Sequence, residues 1–298
     1  MNLRPILWRL CAGIIACLLG NGRLNKSRSI LIILCCFVLV AIPLASFAQS
    51  DSVFQFLRSV KGDIIYFNVD NLDNIYLVTN DGQLKKLDAK GDSVAVFNDV
   101  KRFGNPSAID VANPFKILLY YKPFATVLVL DRYLIKRNSI NFRNQGIFSV
   151  QSIATSYDNY IWLFDDQDFK LKKINDDGKL LQESTDFRMI FDSVPSVVKL
   201  IDRENYVYLY DRDKGFYIFD YYGAFKNRLA FLRWENVEVS GKMMYGFRDN
   251  KLYSYELNSL LLKEYLLPAF FGNYNAIKAM NGKVYVLKDD RIDMYRVK

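Results

Sequence analysis

Asn74-Ile75-Tyr76-Leu77, Tyr160-Ile161-Trp162-Leu163, Tyr206-Val207-Tyr208-Leu209 and Lys283-Val284-Tyr285-Val286 are four copies of one short phrase. Two weaker copies fill the gaps, Lys116-Ile117-Leu118-Leu119 and Lys242-Met243-Met244-Tyr245. With Ile75, Ile117, Ile161, Val207, Met243 and Val284 as equivalent positions, the intervals are 42, 44, 46, 36 and 41 residues. Each copy is rich in β-branched and aromatic residues, which suit pleated, buried strands.

A period of ~40–45 residues built from such runs is the pattern of a propeller blade. The first repeat divides into Ile64–Val69, Asn74–Thr79, Gln83–Leu87 and Ser93–Phe97, from the innermost strand outward. Between them lie Asp73-Asn74, Asn80-Asp81-Gly82 and Asp88-Ala89-Lys90-Gly91, residues that accept positive φ or bond their own backbone at tight reversals. The exit from the third strand recurs as Asp88…Gly91, Asn175…Gly178 and Asp220…Gly223; Asp131 holds that place in the second copy without its glycine. The final copy supplies only Ala276–Met280, Lys283–Lys288 and Asp293–Val297, three strands. Val53–Arg58, ahead of the first full blade, can add the fourth and cover an edge otherwise left open. The expected fold is all-β: a six-bladed β-propeller with four antiparallel strands per blade, its ring closed by an N-terminal strand.

Over residues 53–298 this repeat pattern resembles the NHL-type and YWTD-type six-bladed propellers. Those families use a hydrophobic-aromatic second strand, a polar turn and an Asp-x-x-Gly-like exit; Tyr160-Ile161-Trp162-Leu163-Phe164-Asp165 is similar to the YWTD signature without reproducing it. The resemblance implies the fold and says little about activity, because propellers carry many unrelated functions. Propeller lactonases, as a family, hold one metal at the axial mouth. A calcium-dependent lactonase or hydrolase of that type is therefore the alternative function, with Asp110, Asp202 and Glu235 as candidate oxygen ligands.

The chain has 298 residues and a formal charge of +8. Residues 1–48 contain five basic residues and no acidic one, so the remainder holds 35 basic against 32 acidic. That near-balance gives no electrostatic footprint for nucleic acid. Lys26-Ser27-Arg28-Ser29, the apolar run Ile30–Leu44 and Ala45-Ser46-Phe47-Ala48 read as a secretory signal peptide. The expected organisation is an N-terminal extension over 1–29, a signal hydrophobic and cleavage region over 30–48, and the propeller over 49–298. The expected location is the bacterial periplasm or cell envelope; if the leader is retained, residues 5–44 would associate the chain with a membrane. All four cysteines (Cys11, Cys17, Cys35, Cys36) fall in the leader. The propeller thus has no sulfur bridge to draw on.

The whole chain contains no histidine. Ser-His-Asp, Cys-His and His-ligated zinc chemistry are excluded, and no Gly-rich phosphate loop is present. No catalytic residue, cofactor or metal is expected. The most regular polar feature is a set of arginines at successive blade corners, each beside an aromatic: Arg58, Arg102, Arg143, Arg188 and Arg233, with Trp234 next to the last. The sixth corner reads Phe270-Phe271-Gly272-Asn273-Tyr274 instead. Arginine and aromatic side chains on loops are the composition of interface anchors, and guanidinium also stacks on rings across packed boundaries. The expected function is a non-catalytic binding or scaffold propeller. It would present Arg58, Arg102, Arg143, Arg188, Arg233, Trp234, Phe270, Phe271 and Tyr274 to a protein or other envelope component. A sugar- or peptide-binding propeller using Trp162 and Trp234 as stacking platforms is a third reading.

Overall fold

The computed structural model describes residues 53–298; the expected extension and signal region lie outside them. The described residues form six four-stranded antiparallel sheets, a six-bladed β-propeller with a single four-residue helix at Val100–Phe103 and a few 3-10 turns. The innermost strands are Ile64–Val69, Ala108–Asn113, Val150–Thr155, Val197–Arg203, Glu235–Ser240 and Ala276–Met280. All six copies of the recurring phrase fall on or at the start of second strands, from Ile75–Thr79 in the first blade to Lys283–Lys288 in the sixth.

The ring closes as the sequence suggests. Phe54–Lys61 pairs antiparallel with Arg291–Val297, Phe54 opposite Val297 and Lys61 opposite Arg291, and so becomes the outermost strand of the sixth blade. It extends three residues beyond the expected Arg58.

Six hydrophobic clusters hold the described residues together, one at each boundary between neighbouring blades. Side chains alternate across a strand, so each blade feeds two clusters: Ile75 and Leu77 pack toward the sixth blade while Tyr76 and Val78 pack toward the second. Both faces of every second strand are therefore buried, which explains why the phrase is apolar at successive positions rather than alternating.

The third-strand exits share one device. Asp88 Oδ1 accepts from the backbone N–H groups of Lys90, Gly91 and Asp92 at 2.8–2.9 Å. Asn175 and Asp220 accept equivalently two and four residues on. In the second blade Asp131 does the same, and Leu134 takes the positive φ, 60°, that glycine takes elsewhere.

Candidate functional site

Antiparallel strands send two sets of loops to each end of the ring. The connections from an outermost strand to the next innermost strand share an end with the turns between second and third strands, and backbone bonds join them. Gly62 N–H donates to Asp290 O at 2.9 Å, Asp166 N–H to Ser149 O at 2.8 Å and Arg233 N–H to Arg212 O at 2.6 Å. This connection end carries most of the residues singled out by the sequence.

Arg102, Arg143, Arg188 and Arg233 lie in four successive connections and are exposed. Arg102 sits over Phe103 at 4.9 Å. Arg143 donates to Pro123 O at 3.4 Å. Arg188 is forked against Asp186, with contacts of 2.5–3.0 Å, and covers Phe169. Arg233 stands at positive φ, 58°, beside Arg212, Glu235, Arg248 and Asp249. They decorate the rim one per blade boundary and do not converge.

Three members of the set are placed differently from expectation. Arg58 is not at a corner: it lies within the closing strand opposite Met294 and donates to Lys90 O of the first blade. The sixth-to-first connection is only Gly62-Asp63, so equal spacing in sequence does not give equal position. Trp234 is buried, stacked on Phe231 at 4.4 Å and on Tyr253 at 5.4 Å, and a Cβ at Gly246 would collide with its ring. Phe271 is 1% exposed and packs against Phe54 and Tyr295, because a 3-10 turn over Ala269–Phe271 drives it between blades. Phe270, on the same turn, stays 50% exposed, and Tyr274 is half-buried against the same cluster. Trp162 is fully buried and donates to Asp202, which leaves it no stacking face for a ligand.

Around these arginines the connection end exposes further apolar side chains. Met189 is 78% exposed and Phe148 58%; Phe124, Ile190 and Leu232 are exposed as well. Together with Phe270 they form an apolar rim interspersed with guanidinium groups.

At the centre of this end is a recess of about 600 Å³ over the ring axis. Its walls come from the first residues of four innermost strands: Ile65 and Tyr66, Val198 and Lys199, Glu235 to Glu238, and Ala276 and Lys278. Lys199 Nζ meets Glu238 Oε2 at 3.3 Å. Burial opposes charge on both; the mutual attraction wins, holding Lys199 above the usual lysine range and Glu238, helped by Lys278 and Arg203, below the usual carboxylate range. Arg212 pairs with Glu235 at 2.6 Å on the lip. Lys278 Nζ donates to Asn68 Oδ1 at 3.2 Å and lies 5.1 Å from the centre of the Tyr66 ring. Sequence reasoning missed this recess. A signal was available: Asp110, Lys199 and Lys278 each occupy the third position of an otherwise largely apolar innermost strand.

Below the recess the channel narrows to about 20 Å³ among Asp110, Lys199, Arg203 and Glu238. Arg203 crosses there to donate to Ala112 O at 3.2 Å. The three carboxylates weighed as metal ligands do not form a site. Asp110 accepts from Thr155 N–H at 2.6 Å and Ala112 N–H at 3.2 Å, and Glu235 is paired with Arg212. Asp202 is buried toward the opposite end, where it accepts from Trp162 Nε1 at 3.0 Å and Tyr221 OH at 3.1 Å. Burial raises its pKa to about 6 against those hydrogen bonds. Among the described residues no group of three or more His, Cys, Asp or Glu could hold a metal ion. In the narrow channel Lys199 and Arg203 stand among Asp110, Asp202 and Glu238, so cations share the space that a calcium site needs for oxygen alone. Among the same residues no helix is long and apolar enough to cross a membrane.

The fold and site define a β-propeller with a charged, apolar-walled axial recess. No family model and no curated protein matches the chain. Solved structures do. A streptogramin B lyase is 15% identical with a TM-score of 0.52, 78% of each chain being covered. A catalytically inactive virginiamycin B lyase from Staphylococcus aureus, solved with quinupristin, is 12% identical with a TM-score of 0.52, covering 80% of this chain and 82% of that one. The Cps50 (Swd1) propeller domain of Myceliophteria thermophila is 9% identical with a TM-score of 0.57, covering 82% and 100%. At such identities the likeness shows the fold alone. Proteins of this shape include lyases and a propeller domain of a larger protein, so the shape does not select an activity.

Proposed function

We propose that this protein is a non-catalytic binding propeller that docks another protein on its connection end, and that it does so in the bacterial cell envelope after export by its leader. The carrying observation is the rim. Met189, Phe148 and Phe270 are exposed at one end, set among Arg102, Arg143, Arg188 and Arg233. Rigid aromatic, Met and Arg side chains on loops over a fixed scaffold are what protein interfaces use as anchors. The lyase reading is disfavoured by chemistry: the virginiamycin B lyase variant described as inactive carries alanine for a histidine, and this chain has no histidine at all. The calcium-hydrolase reading lacks converging oxygens.

The test is capture from envelope extracts by the immobilised full chain. Met189→Asp and Phe148→Asp, both at exposed positions, should each weaken the captured partner by ~30-fold or more, the effect of losing an interface anchor. Tyr222→Asp, 87% exposed at the opposite end, should leave capture intact. Equal capture by all four proteins would overturn the proposal.

A further inference from the structure

The axial recess has chemistry that the rim does not. Three cations, Lys199, Arg212 and Lys278, face it with two carboxylates, Glu235 and Glu238. Arg212 and Glu235 neutralise one another at 2.6 Å, and Lys199 and Glu238 do so at 3.3 Å. Among the described residues no carboxylate pairs with Lys278. An ammonium has three donors, and Lys278 uses one of them on Asn68. With three cations against two carboxylates on its lining, the recess carries one excess positive charge, and Lys278 feels Glu238 only at a distance, without an ion pair.

The walls beside it are apolar. Ile65 is 45% exposed and Val198 is 59% exposed, although both stand on innermost strands directly after a buried residue, Ile64 and Val197. Such side chains, facing a cavity of this size with a few charged groups and one excess positive charge, are the usual makings of a small-molecule pocket. Lys199 and Glu238 line both the recess and the narrow channel beneath it, whereas Lys278 lines the recess only. Glu238 is thus deeper and engaged with Lys199, Glu235 is paired with Arg212 at the lip, and the Lys278 ammonium, with donors to spare, is the cation open to an entering carboxylate between them.

We infer that the recess binds a monovalent carboxylate carrying an apolar body, with Lys278 holding the carboxylate and Ile65, Val198 and Tyr66 receiving the body. Two sources share that chemistry: a small organic acid, or the C-terminal carboxylate of a polypeptide. The inference stands apart from rim docking, since the recess could fill with no protein on the rim. The charge is met by a charge-assisted hydrogen bond in a partly desolvated site, where such bonds are strongest.

Calorimetric titration of the full chain with N-acetylphenylalanine and with its primary amide isolates the charge, because the two ligands match in size. The acid should bind at least about tenfold more tightly than the amide. Lys278→Met should abolish that difference and Lys278→Arg should keep it, both with an unchanged unfolding midpoint. Val198→Asp, at an exposed position, should weaken the acid and not the amide, and it serves if Lys278→Met fails to fold. A hexapeptide ending in phenylalanine, free or amidated, separates the sources: tighter binding than the single residue, lost on amidation, assigns a chain terminus, and binding no tighter assigns a small acid. Equal affinities for acid and amide, indifference to Lys278→Met and Val198→Asp, or no binding of the acid would overturn the inference. Each of these readouts is independent of partner capture at the rim.

Discussion

Phe54 reports directly on whether the N-terminal strand seals the ring. It is 4% exposed, opposite Val297 in the register, and its ring meets Phe271 at 5.3 Å and Tyr265 at 6.5 Å. It belongs to the cluster between the fifth and sixth blades. A buried phenylalanine removes ~150–250 Å² from water, and at ~25 cal/mol per Å² that is about 4–6 kcal/mol. Core truncations of Phe to Ala cost ~3–5 kcal/mol, so Phe54→Ala should cost about 4 kcal/mol. Phe56 is the internal control: same strand, 55% exposed, touching Tyr295 only edge-on at 5.6 Å. Phe56→Ala should cost under ~1 kcal/mol. Urea unfolding followed by tryptophan fluorescence measures both. If Phe54→Ala costs no more than Phe56→Ala, the strand is not docked, and the six-bladed closure is wrong with it.

Lys172 is almost fully buried between Asp165 at 2.7 Å and Asp168. Lys172→Met strands the buried Asp165 carboxylate and should cost ~3–5 kcal/mol; adding Asp165→Asn should recover much of that, and a double-mutant cycle that is simply additive would refute the coupling. Asp202 titrates near 6 when folded, raised by burial from the ordinary 3.8. An acid raised in this way favours folding fully below its unfolded pKa and loses that favour as pH climbs through the folded value. Relative to Asp202→Asn, the natural chain should lose about 3 kcal/mol of unfolding free energy between about pH 3 and about pH 7. A pH-independent difference between the two proteins in urea titrations would contradict the assignment.

The fold was legible because each blade contains a strand buried on both faces, and only such strands are apolar at successive positions; Val207-Tyr208-Leu209-Tyr210 within Tyr206–Asp211 is the clearest run. The closing strand was legible because the final copy was one strand short. The site was legible only in part, for two physical reasons. Composition does not say which way a loop side chain points: Trp234 and Phe271 look like Phe270 in sequence, and short turns send two of the three inward. Spacing does not measure position when loop lengths differ, which is how Arg58 kept phase with the other arginines yet lies inside a strand. The axial recess was hidden because its charged residues, Lys199 and Arg212, Glu235 and Glu238, and Lys278, come from three different blades and are not contiguous in sequence.

A ring sealed by Phe54–Lys61 and Arg291–Val297 has a consequence for its biosynthesis. The strand that leaves the ribosome first must wait for nearly the whole domain before its partner exists. During that wait, both it and the growing outer edge are bare templates for the wrong neighbour, and a nascent chain cut short at any blade boundary stays an open arc. Contacts so distant along the chain also make folding slow. This protein should therefore depend, more than its finished stability would suggest, on being kept apart from other copies until translation is complete.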